Sequence, residues 1–435
     1  MSLDLRRARR AVARAETLRL RGRVTALTGL VVEAALGGVR RDELVEIATT
    51  GQGPLLAEVV GFREDRAVLL PLGDATGVSV DSEAVPTGRT LSIRAGEALV
   101  GRVLDGLGRP ADGQPLPADL EEWAVDRPSP DPLSRRRVAA PLATGVRALD
   151  ALCTLGEGQR LGVFAGPGVG KSTLLAQIAR NARADVAVVA LVGERGREVR
   201  DFVEDGLGPG GLARAVVVAA TSDAPALVRL RAAHVAVAVA EWFAERGRRV
   251  LLLLDSVTRY ARAQREVGLA AGELPARQGY PPSVFEALPR LLERTGNRAR
   301  GGITAVCTVL VAGGDLDDPV ADEVRGILDG HVVLDRRVAE RGRWPAIDPL
   351  QSLSRLMAAV ASAPHLAAAA RLRELLAAHE RVRDLVALGA HRRGADPVAD
   401  AALDRIEAIE AFLRQPAAEV APWEATLARL SEVVA

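Results

Sequence analysis

The chain has 435 residues, 48% of them hydrophobic, with 57 basic side chains against 56 acidic ones. That length buries a sizeable core and calls for more than one domain, while the near-zero net charge excludes a global field that would gather nucleic acid or an anionic membrane. The longest apolar runs, such as 186–192 and 250–254, are strand-sized and far below the ~20 residues that cross a bilayer.

Residues 1–20 read as an amphipathic helix, because Leu5, Ala8, Val12, Ala15 and Leu18 recur at spacings of three or four with arginines between them. Such a stripe suits a partner protein, an inner-membrane surface or the helix's own domain. The segment lacks the continuous apolar stretch and cleavage site of a secretory signal, so a cytoplasmic protein is expected. From 21 to 89, the runs VVEAAL, LVEIAT, LLAEVVGF and RAVLLPL alternate with Gly-bearing turns and predict a small β-barrel. Residues 90–357 form the next expected domain. Its portion 100–141 is rich in Gly and Pro, lacks periodicity and reads as a connecting arm. From about 144, the strand-like runs VAVVALVG, AVVVAA, RVLLLLD and ITAVCTVLV alternate with helical segments, as in a mainly parallel α/β sheet covered on both faces. Residues 358–435 are Ala- and Leu-rich with helical spacing and predict a C-terminal helical domain.

Lys171 is the only lysine, the other 56 basic residues being arginine. It lies in AGPGVGKS (165–172), after the strand-like QRLGVFA and before the helical TLLAQIARNAR, which is the context of a phosphate-binding loop. A lone lysine placed at random among the basic sites would fall here roughly once in 57 trials. The chemistry explains the exception: a compact ammonium on a thin stem threads between β- and γ-phosphates, whereas a planar guanidinium does not fit. The backbone of Gly166, Pro167, Gly168, Val169 and Gly170 would wrap the phosphates of ATP, the N-terminus of the helix through Ser172 and Thr173 would add its dipole, and the Ser172 hydroxyl would face Mg²⁺. Ala165 stands where many such loops have Gly. Asp255 ends an apolar run 84 residues after the lysine, where a carboxylate reaches magnesium through water. Glu194 ends another and is placed to orient the attacking water. Cys153 and Cys307 have no pairing pattern and read as core fillers, and five histidines have no ligand spacing, so the metal expected is the one nucleotide brings.

Four segments carry a resemblance: GERGREV (193–199), DSVTRYARAQREVGLAAGELPARQGYPPSVF (255–285), DPVADEVRGILDGH (318–331) and PAIDPLQSLS (345–354). Together they resemble the type III secretion ATPases, within the wider family of F- and V-type ATPase subunits, over residues 20–415. The resemblance implies a RecA-like ATPase core and assigns Glu194 as the catalytic carboxylate with Arg195 beside it. It makes Arg355 an arginine finger that enters the neighbouring subunit's site, and places Trp344 where the family usually has a tyrosine stacking on adenine. A finger in trans implies a ring, and the family's is a homohexamer. The partners implied are a stator protein dimer at the N-terminal helix, a central coiled-coil stalk, an export gate, and chaperone–substrate complexes at the C-terminal domain. The location implied is the cytoplasmic face of the inner membrane.

The chain departs from the family in VAGGDLDDP (311–319), where Ala312 and Gly314 replace two acids, so no catalytic role is assigned to that loop. A Rho-like RNA translocase shares the core, but Phe62 is the only aromatic residue before Trp123, and no base-stacking platform is legible; no nucleic-acid partner is expected. A rotary ATP synthase catalytic subunit shares the catalytic residues, yet GLAAGELPARQGYPPSVF (268–285) points to export. Within export, SVTRYARAQ, LLERTG and ADEVR resemble the virulence injectisome more than the flagellum.

Overall fold

Along residues 22–90, apolar side chains alternate with polar ones, the pattern of strands with one buried face. A computed structural model, which describes residues 20–51, 53–311 and 318–435, folds this stretch into a closed barrel. The expected N-terminal helix and the loop bearing Ala312 and Gly314 lie outside the described residues. The barrel strands are β1 (Gly22–Thr28), β2 (Val31–Ala35), β3 (Glu43–Ile47), β4 (Leu55–Arg63), β5 (Arg66–Pro71) and β6 (Glu83–Thr90), closed in the order β1-β2-β5-β4-β3-β6. Val24, Val32, Ala34, Val45, Ile47, Val59 and Leu69 point inward and form its core. β6 is not among the sequence-predicted strands. It holds Pro86 in mid-strand, tolerated beside the register shift that β3 makes against it.

The chain divides into two compact units, one reaching Leu91 and including Leu269–Glu273, the other comprising Ser92–Gly268 and Leu274–Ala435. The second unit opens with β7 (Ser92–Ala95), β8 (Val103–Asp105) and β9 (Glu121–Ala124). β10 (Pro141–Leu142), β11 (Leu155–Gly156), β12 (Arg160–Ala165), β13 (Val186–Glu194), β14 (Ala215–Thr221) and β15 (Arg249–Asp255) follow. β16 (Gly296–Asn297), β17 (Gly302–Leu310), β18 (Gly330–Leu334) and β19 (Ile347–Ser354) complete the strands. Its main sheet runs β19-β18-β12-β17-β15-β13-β14-β8, parallel throughout except for β19, with β16 paired to β17. Every residue of β13 is buried, as a strand covered on both faces requires. The presumed arm does more than connect: β8 adds an edge strand to β14, and β9 pairs with β7.

Three C-terminal helices, Ala363–Ala387, Pro397–Leu413 and Trp423–Val434, follow the sheet, the last not named from sequence. The second begins at Asp396, whose carboxylate accepts from the amides of Val398 and Ala399, with Pro397 at the first helical position. Leu372, Leu375, Phe412 and Leu430 share one hydrophobic core with Leu149, Leu175 and Leu191 of the α/β part.

Candidate active site

In a parallel sheet the carboxyl ends of the strands face one edge, and ligands gather there. β12 runs at that edge into a loop in which Gly168 and Gly170 take left-handed φ values of 78° and 83°, a conformation that glycine adopts without penalty. The helix Lys171–Asn181 follows directly, with Gly170 as its N-cap. The neighbouring strands β13 and β15 are registered Leu191 to Asp255, so Glu194 and Asp255 end side by side.

These ends meet at the lysine. Lys171 Nζ contacts Asp255 Oδ1 and lies 3.5 Å from Glu194 Oε1, its side chain 12% exposed. Thr308 on β17 donates to the same Asp255 oxygen at 2.7 Å. Arg259 completes the cluster: its Nε and Nη2 donate to the two oxygens of Glu194 at 3.0 and 3.2 Å. Arg259 falls within the family segment 255–285, where the resemblance assigns it no role. Its partner is 65 residues away, and the one local signal is a basic residue four positions after the strand-end Asp255. The approach is permitted by Gly193, at φ 68°, where a Cβ would lie 3.2 Å from the Cδ of Arg259.

Burial raises the Glu194 carboxyl above its ordinary pKa, tempered by the charge of Lys171, raised further by Asp255 and lowered by Arg259. Glu198, one turn on, stays below its ordinary value: some burial acts against its charge, but hydrogen bonds from Glu194 and Arg195 prevail. A carboxyl poised upward next to one held ionised is the arrangement of a proton acceptor with a partner for its proton. Arg195 itself is exposed and pairs with Glu198 at 2.8 Å.

Ser172 and Thr173, exposed at the start of the loop-following helix, line a cavity of about 650 Å³ together with Ala176, Phe202, Ala417 and Ala418. The segment 415–419, within the expected C-terminal helical domain but beyond the helix that ends at Leu413, is pinned in place. Gln415 donates its amide N–H to the Trp344 carbonyl at 2.8 Å and accepts from the Arg147 amide at 2.7 Å, while Arg180 donates to the Ala417 carbonyl at 2.8 Å. Two alanines in an Ala-rich chain give no sequence signal for such a wall. The Trp344 ring, 40% exposed, packs on the loop so closely that a Cβ on Gly170 would sit 2.8 Å from it.

Among the described residues no group of three acidic, His or Cys side chains could hold a metal. The free Ser172 hydroxyl and the strand-end Asp255 fit a magnesium ion delivered by nucleotide. Both cysteines are free and buried, as core fillers are.

Arg355 lies elsewhere. β19 is antiparallel to β18 and pairs Ser354 with Gly330, whereas Leu334 pairs with Ala165 at the loop end. Four residues of strand at 3.3 Å per residue put Ser354 some ~13 Å from the loop end of the sheet. Arg355 is exposed there, its guanidinium 3.4 Å from the Arg325 carbonyl.

A strand, a phosphate loop, a helix and two strand-end carboxylates on a mainly parallel sheet define a P-loop nucleoside triphosphatase with a RecA-like core. The ATP synthase alpha/beta family, nucleotide-binding domain, matches residues 145–354, its β-barrel domain matches 24–88, and the C-terminal domain of the type III secretion ATPase EscN matches 361–432. The chain belongs to this family, in the branch formed by the type III secretion and flagellar ATPases. It is 51% identical to a type 3 secretion system ATPase of Xanthomonas euvesicatoria over 95% of this chain and 93% of the relative. To a flagellum-specific ATP synthase of Bacillus subtilis it is 46% identical, over 95% and 94%. The solved structure of the assembled ATPase EscN from enteropathogenic E. coli superimposes with a TM-score of 0.91 at 44% identity, over 95% of this chain and all of that one. EscN in complex with its central stalk EscO gives 0.89. No helix among the described residues is long and apolar enough to cross a membrane.

Proposed function

We propose that this chain is the ATPase of a type III protein export system, working as a homohexameric ring whose active sites lie between subunits. The observation that carries this reading is the division of the catalytic set. Lys171, Glu194, Asp255 and Arg259 form one cluster, while Arg355 is exposed at the opposite end of the sheet, where its own phosphate loop is out of reach.

In this reading Lys171 leaves its two carboxylates for the β- and γ-phosphates, and the loop amides with the helix N-terminus hold the phosphate oxygens. Trp344 stacks on adenine, beside the cavity walled by Ala417 and Ala418. Ser172 and, by way of water, Asp255 would hold a magnesium ion arriving with the nucleotide, and it would neutralise phosphate charge. Glu194 orients the attacking water and takes its proton, its raised pKa supporting that task. Arg259, with Lys171 engaged on the phosphates, keeps its two hydrogen bonds to Glu194 and holds that carboxylate in line with the attacking water. Arg195 holds Glu198 at the mouth of the site. Arg355 of the adjacent subunit stabilises the developing charge, a contribution worth on the order of 10³-fold or more in rate.

Hydrolysis would release chaperones from export substrates and unfold those substrates at the export gate. The C-terminal helices would meet the chaperone–substrate complexes, the barrel would join neighbouring subunits, and residues 1–20 would bind a stator dimer at the cytoplasmic face of the inner membrane. A central stalk is supported by the relative solved with EscO. The injectisome reading is supported by the segments 256–264, 291–296 and 321–325. The gene should restore secretion to a strain lacking its injectisome ATPase and leave a strain lacking its flagellar ATPase non-motile; the reverse outcome assigns the flagellum, and failure in both removes the export reading.

A further inference from the structure

A chain of polar side chains, buried at one end and exposed at the other, lies behind the first turn of the helix Val257–Ala270, one residue from Arg259. Tyr260 is 1% exposed, and its hydroxyl is 3.1 Å from Nε2 of His234 on the helix Ala226–Glu245. The other ring nitrogen, Nδ1, is 3.0 Å from Asp126 Oδ1, and Arg231 donates to Asp126 Oδ2 at 2.7 Å. An ionised carboxylate only accepts, so Nδ1 carries the proton and Nε2 accepts from the Tyr260 hydroxyl. Burial lowers the His234 pKa and keeps the ring neutral, which this direction of bonding requires. Burial opposes the charge on Asp126, but the His234 hydrogen bond and the charges of Arg231 and Arg294 hold its carboxyl well below the ordinary range.

We propose that Asp126, His234 and Tyr260 form a positioning relay for the phosphate site, setting the rotation of the helix Val257–Ala270 and thereby the aim of Arg259 at Glu194. Consecutive residues on a helix turn together, so a helix fixed at Tyr260 is fixed at Arg259. The bidentate contact with Glu194 tolerates little error: functional geometry of this kind is held to within about 0.5 Å. A second tie joins the same two helices, Arg229 to Glu266 at 2.6 Å, and Arg229 also flanks Gly193, where a Cβ would be 3.7 Å from its Cδ. Among the described residues, the hydrogen bonds and ring contact of Tyr260 and His234 join them to each other and to Asp126 rather than to a catalytic side chain, so their effect passes through Arg259. The proposal rests on the reading of Glu194 and Arg259 as parts of the hydrolytic site.

The test is a double-mutant cycle on the full-length ring with Tyr260→Phe, Arg259→Ala and the pair, measuring kcat, the KM for ATP and the unfolding midpoint. Tyr260→Phe should lower kcat about tenfold while KM stays within about twofold, and should cost less than about twofold more when Arg259 is already Ala. A structural role alone predicts the same loss in both backgrounds, and that result, or an unchanged kcat in Tyr260→Phe, overturns the relay. Asp126→Asn, at the exposed end, is the second variant and should couple to Arg259→Ala in the same way. If Arg259→Ala keeps wild-type kcat, the catalytic reading of Arg259 falls first and the relay falls with it, which separates the two failures.

Discussion

Gly193→Ala tests how closely the geometry of Glu194 depends on Arg259. The residue sits at φ 68° immediately before Glu194, so an alanine there costs about 1–2 kcal/mol in backbone conformation. Its Cβ would lie 3.2 Å from Arg259 Cδ and 3.6 Å from Arg259 Cβ, the first closer than the ~3.5–4.0 Å optimum for carbon pairs. The arginine must therefore yield by a few tenths of an ångström, and the hydrogen bonds to Glu194, now 3.0 and 3.2 Å, leave little room to stretch. A displacement of about 1 Å in a catalytic group can cost ~10²-fold, so a shift of this size should lower kcat roughly five- to tenfold. Phosphate release measured at saturating ATP should show that loss with a KM for ATP within about threefold of wild type, and thermal unfolding should show a modestly lower midpoint. A variant that is destabilised yet turns over at the wild-type rate would refute the reasoning, since the backbone penalty would be present without any effect through Arg259.

Three further outcomes follow from the site. Because burial raises the Glu194 pKa, the folded chain protonates there before the unfolded chain does, so its ionisation lowers stability as pH rises past the unfolded value of about 4.3. Glu194→Gln should therefore unfold at a higher temperature than wild type at pH 8, with the gap closing toward pH 4, while ATP still binds and hydrolysis is lost; equal midpoints across that range would contradict the sign. ATP or ADP should change tryptophan emission, and Trp344→Phe should remove most of the change, because Trp123 and Trp242 are buried at 8% and 6% exposure and Trp423 packs on His365 with ring centroids 5.9 Å apart, while Trp344 lies against the phosphate loop; an unaltered response in the variant would remove Trp344 from the base site. Lys171→Arg keeps the charge and repeats the residue used at every other basic position, yet should nearly abolish turnover, since a guanidinium does not pack between Asp255 and Glu194 in so buried a place; substantial residual activity would make the lone lysine an accident of composition.

What could be read from the sequence is what is local. The phosphate loop, the strands ending at Glu194 and Asp255 and the C-terminal helices each carry their signal within a dozen residues, through glycine spacing, continuous apolar runs or a helical stripe. What escaped depends on partners distant in the chain. β8 is three residues long and becomes a strand only because β14 offers an open edge. Arg259 looks like any surface arginine of a helix until β13 brings Glu194 to it, and Gln415 looks like the last residue of a helical stretch until its amide and side chain bridge Trp344, Arg147 and Gly145. His234 lies in no motif and Tyr260 in a family segment that gives it no role, and only the packing of two helices makes them a pair.

Completion of the site by a second subunit is tested most directly by mixing two inactive proteins. Glu194→Gln and Arg355→Ala should each be inactive alone, the second by on the order of 10³-fold or more with nucleotide binding kept. Co-assembled rings contain some interfaces with both wild-type residues, and ATP turnover should reappear in proportion to them. Mixed rings of verified composition that remain as inactive as either parent would contradict a finger supplied in trans.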